Sequence, residues 1–584
     1  MTTATLTPRL FNPTEFDGAR FDPATQRLLR AAIDWFEAKG QAQIAEEVRS
    51  DEWYGDFIEF LASERAFAIL LTPERDGEGD PDKRWDTARN AVFNEILGFY
   101  GLPYWYAWQV TILGLGPIWQ SGNDAARRRA AELLEEGAIF AFGLSERDHG
   151  ADIYSTDMIL EPDGEGGFSA TGGKYYIGNG NRAGMVSVFG RRTDMEGPDA
   201  YVFFAADSAH DAYILRKNVV YGQMYVSAFD LEDYPVRPED ILHAGPAAFE
   251  AALNTINVGK FNLGFCAIGM SEHCFYETVT QAEGRVLFGK RVTEFGQVRR
   301  ILSEAYARLL ATKLYGARAV DYVRTASRED RRYLLFTPIN KMRVTMEGER
   351  IVSLLGEVIS AKGFERDSYF ESAKNIIGGL PKLEGTVHVN LALALKFLPN
   401  YLFGTADFEP VPTRRDAGDD AFLFDQGPTR GLGKIAFGDW RRAFDAFGEV
   451  PNVAVFREQA EALVTMVSEA PLTPEQMSTD LDFQQALAQV FTLIPYGQLI
   501  LEEAGIKETP EDVVDLIFEW LVRDFSALTL DLHGKASSTP EQQQWVLDSI
   551  RKPVIDPERE DRIYAEVRAL AGAYQAKTTT LRSS

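Results

Sequence analysis

The sequence predicts an α+β fold that is mostly helical: an N-terminal helical domain, a central antiparallel β domain, a C-terminal four-helix bundle and an extra C-terminal helical domain. Three observations lead to this prediction. The chain has 584 residues, whereas a single hydrophobic core stops growing at about 250–300 residues. Apolar residues recur at helical spacing towards both ends of the chain. Between these helical parts lie short β-rich runs, divided by glycine and aspartate turns.

Residues 1–137 are predicted to form the first helical domain. Runs such as RLLRAAIDWFEAKG and DFIEFLASERAFAILL place apolar residues three or four positions apart. The uncharged segment 99–119, FYGLPYWYAWQVTILGLGPIW, reaches the ~20 residues of a membrane span, but two prolines, three glycines and Gln109 interrupt it. We therefore predict a buried helix or pocket wall, which is either ordinary core or a groove for an apolar chain.

Residues 138–245 are predicted to form the β domain, from runs such as FSATGGKYYIGNG and GMVSVFGRR. Helical periodicity returns over 246–403, in stretches long enough for a four-helix bundle. Proline, glycine and acidic residues mark 404–438 as a linker or extended arm. The remaining residues, 439–584, are predicted to form a second helical unit, with helix starts at LTPEQM and ETPEDVV, where proline takes the first helical position.

The composition limits partners and compartment. A net charge of −27 argues against binding to nucleic acids or anionic membranes. Cys266 and Cys274 would lie about 12 Å apart on a helix with a rise of ~1.5 Å per residue, which is too far for a disulfide. Without a disulfide framework or a basic-then-apolar leader, a reducing compartment is expected, and we predict the cytoplasm. The six histidines show no metal-ligand spacing, so no metal site is predicted.

One carboxylate stands out because of its apolar surroundings. Glu384 lies within LPKLEGTVHVN, residues 380–390. An apolar pocket would raise the pKa of its carboxylate and make it a stronger base. The alternative is an N-cap or first-turn acid that stabilises the helix TVHVNLALALKF through the helix dipole.

Five segments in order resemble the flavin-dependent acyl-CoA dehydrogenases over roughly the first 400 residues. They are FGLSERDHGAD at 142–152, GGKYYIGNGNRA at 172–183, INVGKFNLG at 256–264, RVLFGKRVTEF at 285–295 and LEGT at 383–386. Each segment is weakly specific alone, but their order and spacing together are specific. INVGKFNLG and the helices beyond residue 403 are similar to the long-chain and oxidase-like branches, in which such an extension covers one face and favours dimers.

The resemblance implies FAD as the cofactor. Residues of the first two segments would lie along the isoalloxazine ring, with Tyr176 covering it and Gly178 lacking the family's hydroxyl. The Asn-Gly that follows is also a strong hairpin signal. Arg285 and Phe288 would reach the dinucleotide half of the cofactor in the neighbouring subunit, where an arginine fork suits pyrophosphate. The implied cofactor-contacting residues are Phe142, Leu144, Ser145, Tyr176, Ile177, Gly178, Arg285, Phe288, Thr386, Val387 and His388.

The same resemblance gives Glu384 the role of catalytic base. It would remove the α proton of an acyl thioester while the β hydride passes to the flavin, leaving a trans-2-enoyl thioester. Gln109, Lys260 and Gly385 are predicted on the substrate side. Several positions depart from the family pattern and receive no role, so the adenine half of FAD is expected to be held differently or less tightly; they are Ala151, Gly296, Glu357, Ser360 and Ala361.

The predicted activity is FAD-dependent α,β-dehydrogenation of a fatty acyl thioester. We expect a homodimer that passes electrons to an electron-transfer flavoprotein. Three alternatives stay open: an oxidase that uses O2, an enzyme whose acyl group is carried by an acyl carrier protein rather than coenzyme A, and a non-catalytic scaffold. Colour and bound flavin would separate the scaffold from the enzymes.

Overall fold

Seven α-helices precede the sheet in the computed structural model, which describes residues 10–50, 52–220, 225–414, 416–429 and 431–576. They are α1 (Pro23–Lys39), α2 (Gln41–Ser50), α3 (Gly55–Ser63), α4 (Ala66–Leu71), α5 (Thr87–Tyr100), α6 (Leu102–Gln120) and α7 (Asp124–Glu135). Side-chain caps define several of the starts. Asp22 accepts a hydrogen bond from Thr25 N at the start of α1, and Asn123 accepts one from Ala126 N at α7.

Helix α6 occupies the uncharged segment. Every residue from Leu102 to Trp119 is buried, so the prediction of a buried helix is confirmed. Pro103 stands in its first turn, where a missing N–H costs no helical hydrogen bond. No helix in the described ranges combines the length and the apolar composition that a bilayer crossing requires.

The central sheet has eight strands. They are β1 (Phe140–Gly143), β2 (Ile159–Pro162), β3 (Phe168–Gly178), β4 (Met185–Arg192), β5 (Tyr201–Ala206), β6 (Tyr213–Asn218), β7 (Val226–Val236) and β8 (Ile241–Ala244). The order is β6-β7-β3-β2-β4-β5-β8, and β1 pairs with β4. Most pairs are antiparallel as predicted, but β4 runs parallel to both β1 and β2. Strand alternation carries no information on pairing direction, and the long connections into β4 permit parallel crossovers.

The bundle follows the sheet. Its elements are α8 (Pro246–Lys260), α9 (Asn262–Gly284), the two-stranded hairpin β9 (Val286–Leu287) and β10 (Lys290–Arg291), α10 (Gly296–Arg324), α11 (Tyr333–Ile339), α12 (Thr345–Ile359), α13 (Tyr369–Ile376), α14 (Val387–Leu395) and α15 (Leu398–Leu402). A π-helical segment, Asn340–Val344, joins α11 to α12. Helix α9 packs against α5, α10 and α12. Glycines allow the close approach to α5: a Cβ on Gly269 would lie 2.0 Å from Glu95 O.

A second helical unit packs on the outside of this bundle. Its helices are α16 (Arg441–Asp445), α17 (Pro451–Glu469), α18 (Pro474–Ser478), α19 (Leu481–Ile506), α20 (Glu511–His533), α21 (Pro540–Ser549) and α22 (Pro557–Ala569). Thr473 and Gln476 form a capping box at the predicted start of α18. Helix α20 begins one residue later than predicted, because Pro510 is its N-cap rather than its first residue. Helix α19 packs against α10 and α14, and α20 packs against α10.

The stretch between the two helical units is tied to the first domain. Asp420 N donates to Trp85 O at 2.6 Å, and the Asp420 carboxylate accepts from Thr87 N at 2.7 Å. Asp419 accepts from Trp85 N at 2.7 Å. These bonds place the stretch over the start of α5. The element order matches the predicted α+β fold, with helices, sheet, bundle and further helices in that sequence.

Candidate active site around Glu384

Glu384 lies in the loop between α13 and α14. Its φ is +50°, and that of Gly385 is +88°. A non-glycine residue rarely adopts this left-handed conformation, and such strained positions cluster at functional sites. Helix α14 has no acid in its first turn and is capped by Thr386, so the alternative that Glu384 serves the helix dipole is wrong. The loop directs the Glu384 side chain towards α6 instead.

The Glu384 carboxylate is held by a neutral amide. Gln109 Nε2, on α6, lies 2.9 Å from each carboxylate oxygen. The same nitrogen donates to Gly259 O at 2.8 Å, and Gln109 Oε1 accepts from Asn262 Nδ2 at 3.2 Å. Gln109 has no exposed surface, Asn262 is 6% exposed, and Gly259 is buried near the end of α8. The contact joins residues 275 positions apart in sequence.

Two buried lysines stand near this carboxylate. Lys341 Nζ, in the π-helical segment, donates to Pro381 O at 2.6 Å and Gly385 O at 2.5 Å. These bonds fix the loop on both sides of Glu384. Lys260, the last residue of α8, is 4% exposed, and in the described chain its ammonium has no hydrogen-bond partner. Its charge nevertheless acts on Glu384.

Burial shifts the pKa values of all three groups towards neutrality. It raises the pKa of Glu384 to about 7, while the Gln109 hydrogen bond and the charges of Lys341 and Lys260 oppose that rise. Glu384 as a residue is half-buried, but its carboxylate end is enclosed by protein. Burial also lowers the pKa of Lys341 to about 7 and that of Lys260 to about 8. Near neutral pH the carboxylate is therefore able both to take up and to release a proton.

Tyr106 contacts the end of β3 and lies near enough to Glu384 to be affected by its charge. A Cβ added to Gly178 would lie 2.7 Å from the Tyr106 ring and 2.6 Å from a methyl carbon of Val110. Burial raises the pKa of Tyr106, and the charge of Glu384 adds to that rise. Gly178 is thus where β3 meets α6, and the contact explains why no hydroxyl-bearing side chain stands there.

The predicted flavin-contacting residues of the β domain lie together. Phe142 is buried and stacks on Phe203, whereas Leu144 and Ser145 are half-buried. Ser145 Oγ donates to Tyr175 O at 2.9 Å, and Tyr175 N donates to Ser145 O at 3.0 Å. The Ser145 hydroxyl therefore donates its hydrogen bond to the protein main chain. Ile177 is buried, and Tyr176 is 60% exposed with a φ of +62°.

The predicted residues of the bundle divide into two places. Thr386, Val387 and His388 form the start of α14, where Gln485 Nε2 of α19 donates to His388 O at 3.0 Å. Arg285 and Phe288 lie at the other end of α9, on the order of 30 Å from Asn262 at ~1.5 Å per helical residue. Phe288 is 96% exposed at the tip of the β9–β10 hairpin. Within one chain these two residues do not join the Glu384 site.

Lys341, Tyr106 and Asn262 belong to the site but were not predicted from the sequence. Lys341 carried a usable signal, because it is a lone lysine among apolar residues in YLLFTPINKMRV, just as Glu384 is a lone acid. Nothing in the sequence around Asn262 or Tyr106 indicates a role in the site. Of the positions that depart from the family pattern, Gly296 begins α10, while Glu357, Ser360 and Ala361 are exposed around the end of α12.

Comparison with known sequences points to one family. Residues 249–398 match the profile of the acyl-CoA dehydrogenase C-terminal domain. A short-chain-specific acyl-CoA dehydrogenase from Megasphaera elsdenii is 24% identical over 278 residues, which are 47% of this chain and 72% of that protein. The CarC subunit of the caffeyl-CoA reductase-Etf complex from Acetobacterium woodii is 24% identical over 328 residues, or 53% of this chain and 82% of that protein.

Comparison with solved structures gives the same fold. An acyl-CoA dehydrogenase from Bacillus anthracis, complexed with FAD, superposes with a TM-score of 0.73. The two chains are 15% identical, and the superposition covers 96% of each. It therefore includes the C-terminal helical unit as well as the first bundle. The predicted fold class is confirmed.

Proposed function

Because residues 249–398 match the acyl-CoA dehydrogenase C-terminal domain, we propose that the chain is a FAD-dependent oxidoreductase of that family, which converts a fatty acyl thioester into the trans-2-enoyl thioester. The observation that carries this proposal is the environment of Glu384. An enclosed carboxylate stands on a left-handed backbone, and its pKa is raised to about 7. A carboxylate with a pKa near the working pH is suited to act as a general base.

The residues predicted to hold the cofactor fit a flat aromatic group. The exposed ring of Tyr176 stands beside Tyr175, whose backbone is bonded to Ser145. Since the Bacillus anthracis neighbour is complexed with FAD, we propose the same cofactor here. Its ring would contact Phe142, Leu144, Ser145, Tyr176, Ile177 and Gly178 of the β domain and Thr386, Val387 and His388 of α14.

Glu384 performs the proton transfer in this proposal. Its ionised carboxylate takes the α proton of the acyl group, and the bond that this proton leaves supplies the electrons of the new double bond. FAD, when bound, supplies the acceptor for the β hydrogen as hydride. Lys341 keeps the loop in place through Gly385 O, so the carboxylate need not be repositioned for each turnover.

The substrate side rests on α6 and α8. Gln109, Lys260 and Gly385 are proposed to border the acyl thioester, because each lies at or beside the Glu384 carboxylate. The carrier is coenzyme A or an acyl carrier protein. The Acetobacterium woodii relative is named as part of an Etf complex, which supports an electron-transfer flavoprotein as the electron acceptor.

We also propose a homodimer in which the β9–β10 hairpin reaches the partner's cofactor. Val286, Leu287 and Phe288 are 61%, 37% and 96% exposed side by side, and a contiguous exposed apolar patch marks a contact surface. Arg285, the exposed C-cap of α9, stands beside it. A cytoplasmic location stays a prediction; the two cysteines on which it depends are free and buried in α9.

Anaerobic titration of the purified protein with a panel of acyl thioesters tests the proposed function. We expect yellow protein whose flavin absorbance bleaches with at least one fatty acyl thioester. Matched coenzyme A and carrier-protein thioesters identify the carrier. Peroxide formed in air would instead indicate an oxidase, and colourless protein that takes up no added FAD would indicate a scaffold.

A further inference from the structure

A chain of hydrogen bonds runs from α6 through α5 and α9 to the Glu384 carboxylate. Trp105 Nε1 donates to Asn94 Oδ1 at 2.6 Å, and Asn94 Nδ2 donates to Asn262 Oδ1 at 3.3 Å. Asn262 Nδ2 then donates to Gln109 Oε1 at 3.2 Å. Gln109 Nε2 ends the chain at both oxygens of Glu384. We call these four donors, Trp105, Asn94, Asn262 and Gln109, the amide relay.

The amide relay is closed to solvent. Trp105, Asn94 and Gln109 have no exposed surface, and Asn262 is 6% exposed. Buried amides that lose a partner have no water to replace it, so breaking one link leaves unsatisfied groups on both sides. In a low-dielectric interior such linked hydrogen bonds also polarise one another. The links are therefore expected to act as a unit.

The direction of the relay follows from its ends. An indole N–H only donates, and an ionised carboxylate only accepts, whereas each amide between them has one end of each kind. Two main-chain carbonyls, which only accept, support the same orientation. Asn90 O accepts from Asn94 Nδ2 at 2.6 Å, and Gly259 O accepts from Gln109 Nε2 at 2.8 Å. Every fixed donor and acceptor thus turns the Gln109 NH2 group, rather than its carbonyl, towards Glu384.

From this geometry we propose that the amide relay is a positioning device that holds the Glu384 carboxylate in place and in its ionised, proton-accepting form. The inference rests on the proposed function, because it assigns the relay to the base of that reaction. The ionised carboxylate accepts from the Gln109 NH2 through both oxygens, whereas a protonated carboxyl can accept only through its carbonyl oxygen, so the relay favours the ionised state. Gln109, Asn262, Asn94 and Trp105 act through Glu384 and are positioning residues.

Other charged or titratable groups also face this carboxylate. They are Lys341 from the π-helical segment, Lys260 from α8 and Tyr106 from α6. The two lysines stabilise the ionised carboxylate, as the relay does, whereas burial opposes it. A test of the relay must therefore leave both lysines in place and change only the amide or indole groups.

The first pair of variants is Gln109→Leu and its control Gln120→Leu. Both glutamines extend from α6 to α8, since Gln120 Nε2 donates to Ala251 O at 3.3 Å and Thr255 Oγ1 at 2.8 Å. Only Gln109 touches Glu384. The ionisation midpoint of Glu384 is read in the oxidised holoenzyme, without substrate, from pH-dependent infrared spectra of the carboxyl C=O band minus those of Glu384→Gln. Gln109→Leu should raise the midpoint by about 1–2 pH units, and Gln120→Leu should not move it.

The second pair is Trp105→Phe and Trp108→Phe. Both indoles are fully buried on α6, but the Trp108 N–H has no partner in the described chain, while the Trp105 N–H starts the relay. Trp105→Phe should raise the Glu384 midpoint by less than Gln109→Leu does, because Gly259 O still orients Gln109. Trp108→Phe should leave the midpoint unchanged. If Gln109→Leu does not fold, this tryptophan pair decides the question alone.

The outcomes separate the relay from the proposed function. An unchanged midpoint in Gln109→Leu, or equal shifts in Trp105→Phe and Trp108→Phe, would overturn the relay whatever the activity. A shifted midpoint in a protein that no acyl thioester bleaches would uphold the relay and reject the proposed function. Where bleaching occurs, its pH profile should move with the infrared midpoint, an effect that a purely structural defect would not produce.

Discussion

Two buried carboxylates of the bundle region behave in opposite ways. Asp524, on α20, receives both terminal nitrogens of Arg308 at 2.7 and 2.9 Å, and its pKa lies below the ordinary value although it is buried. Glu384 receives one neutral amide, and burial raises its pKa to about 7. A guanidinium fork in direct contact outweighs the loss of solvent, whereas an amide and two lysines without direct contact do not. The partner, rather than burial, decides the state of each acid.

The two sites also differ in what they join. Arg308 is 3% exposed and binds Glu304, Glu347 and Asp524 at once, so it ties the second helical unit to the bundle. Of its three carboxylate partners, Asp524 has a pKa below the ordinary value, so it stays ionised near neutral pH. The Glu384 site joins α6, α8 and the loop before α14, and its acid is poised between two states. One arrangement is suited to holding helices together, the other to exchanging a proton.

Replacing Glu384 should have the largest effect of all on activity. Glu384→Gln keeps the size of the side chain but cannot accept a proton. We expect anaerobic bleaching by the best acyl thioester to slow by about 10²–10⁴-fold, the usual contribution of a general base. The flavin should stay bound, as its visible spectrum would report. Undiminished bleaching would remove Glu384 from the reaction.

The second largest effect is expected from replacing Arg308, and it should be a loss of stability rather than of activity. Arg308→Met leaves three buried carboxylates without their shared partner, a change that costs about 3–5 kcal/mol. Urea unfolding followed by circular dichroism should show the loss, while bleaching per folded molecule should stay as in the unaltered protein.

Arg350→Met is the matched control for the ion-pair network. Its side chain is 50% exposed and pairs with Glu304 at 2.8 Å. Exposed pairs of this kind contribute about 0–1 kcal/mol. Equal losses of stability in the two arginine variants would contradict the distinction between the buried fork and its exposed neighbour.

A third change tests whether Lys341 positions the Glu384 carboxylate. Lys341→Met removes two hydrogen bonds that hold the loop, to Pro381 O and Gly385 O. Hydrogen bonds from charged groups contribute about 1.5–3 kcal/mol, so bleaching at neutral pH should slow by roughly 10–100-fold. Lys382→Met, in the same loop but 66% exposed, is the control and should bleach normally. If both variants bleach alike, Lys341 has no part in positioning Glu384.

The sequence was sufficient for the order of the elements. Helical and β periodicities separate the regions because each depends only on neighbours along the chain. Strand pairing depends on residues that are distant in sequence, and for that reason the parallel pairing of β4 with β1 and β2 was not predicted. The start of α20 was misplaced by one residue, since Pro510 suits the N-cap as well as the first turn. Local sequence patterns thus predict helices and strands better than they predict which of these elements pack or pair together.

The site was predictable only in part. Glu384 was identified because a lone acid among apolar residues is visible in the sequence. Its contact with Gln109 was not, since 275 positions separate the two and only the folded chain brings the loop before α14 against α6. Asp524 shows the converse: its sequence context, EWLVRDFSAL, resembles any amphipathic helix. What distinguishes the two acids is the direct partner each one meets in the fold, a neutral amide for Glu384 and a guanidinium for Asp524.

The smallest expected effect is the pH dependence, and it bears on both acids. The pKa of Glu384 is raised to about 7, so the ionised base is present above that pH and bleaching should fall as the pH decreases through it, about tenfold for each pH unit. The midpoint belongs to Glu384 together with Lys341 and Lys260, which titrate nearby.

Asp524 should give no change over the same pH range. Its folded-state pKa lies below the ordinary value of 3.8, so its contribution to stability is present above that value and is lost only as the pH falls through the lower, folded pKa. Between about pH 5 and 8, thermal unfolding should therefore not follow the Asp524–Arg308 pair, while bleaching follows Glu384. The difference would narrow in Arg308→Met, where Asp524 keeps only the weaker contact with Arg350 and the charge of Arg343, so its pKa should rise and acid-dependent unfolding should begin at a higher pH.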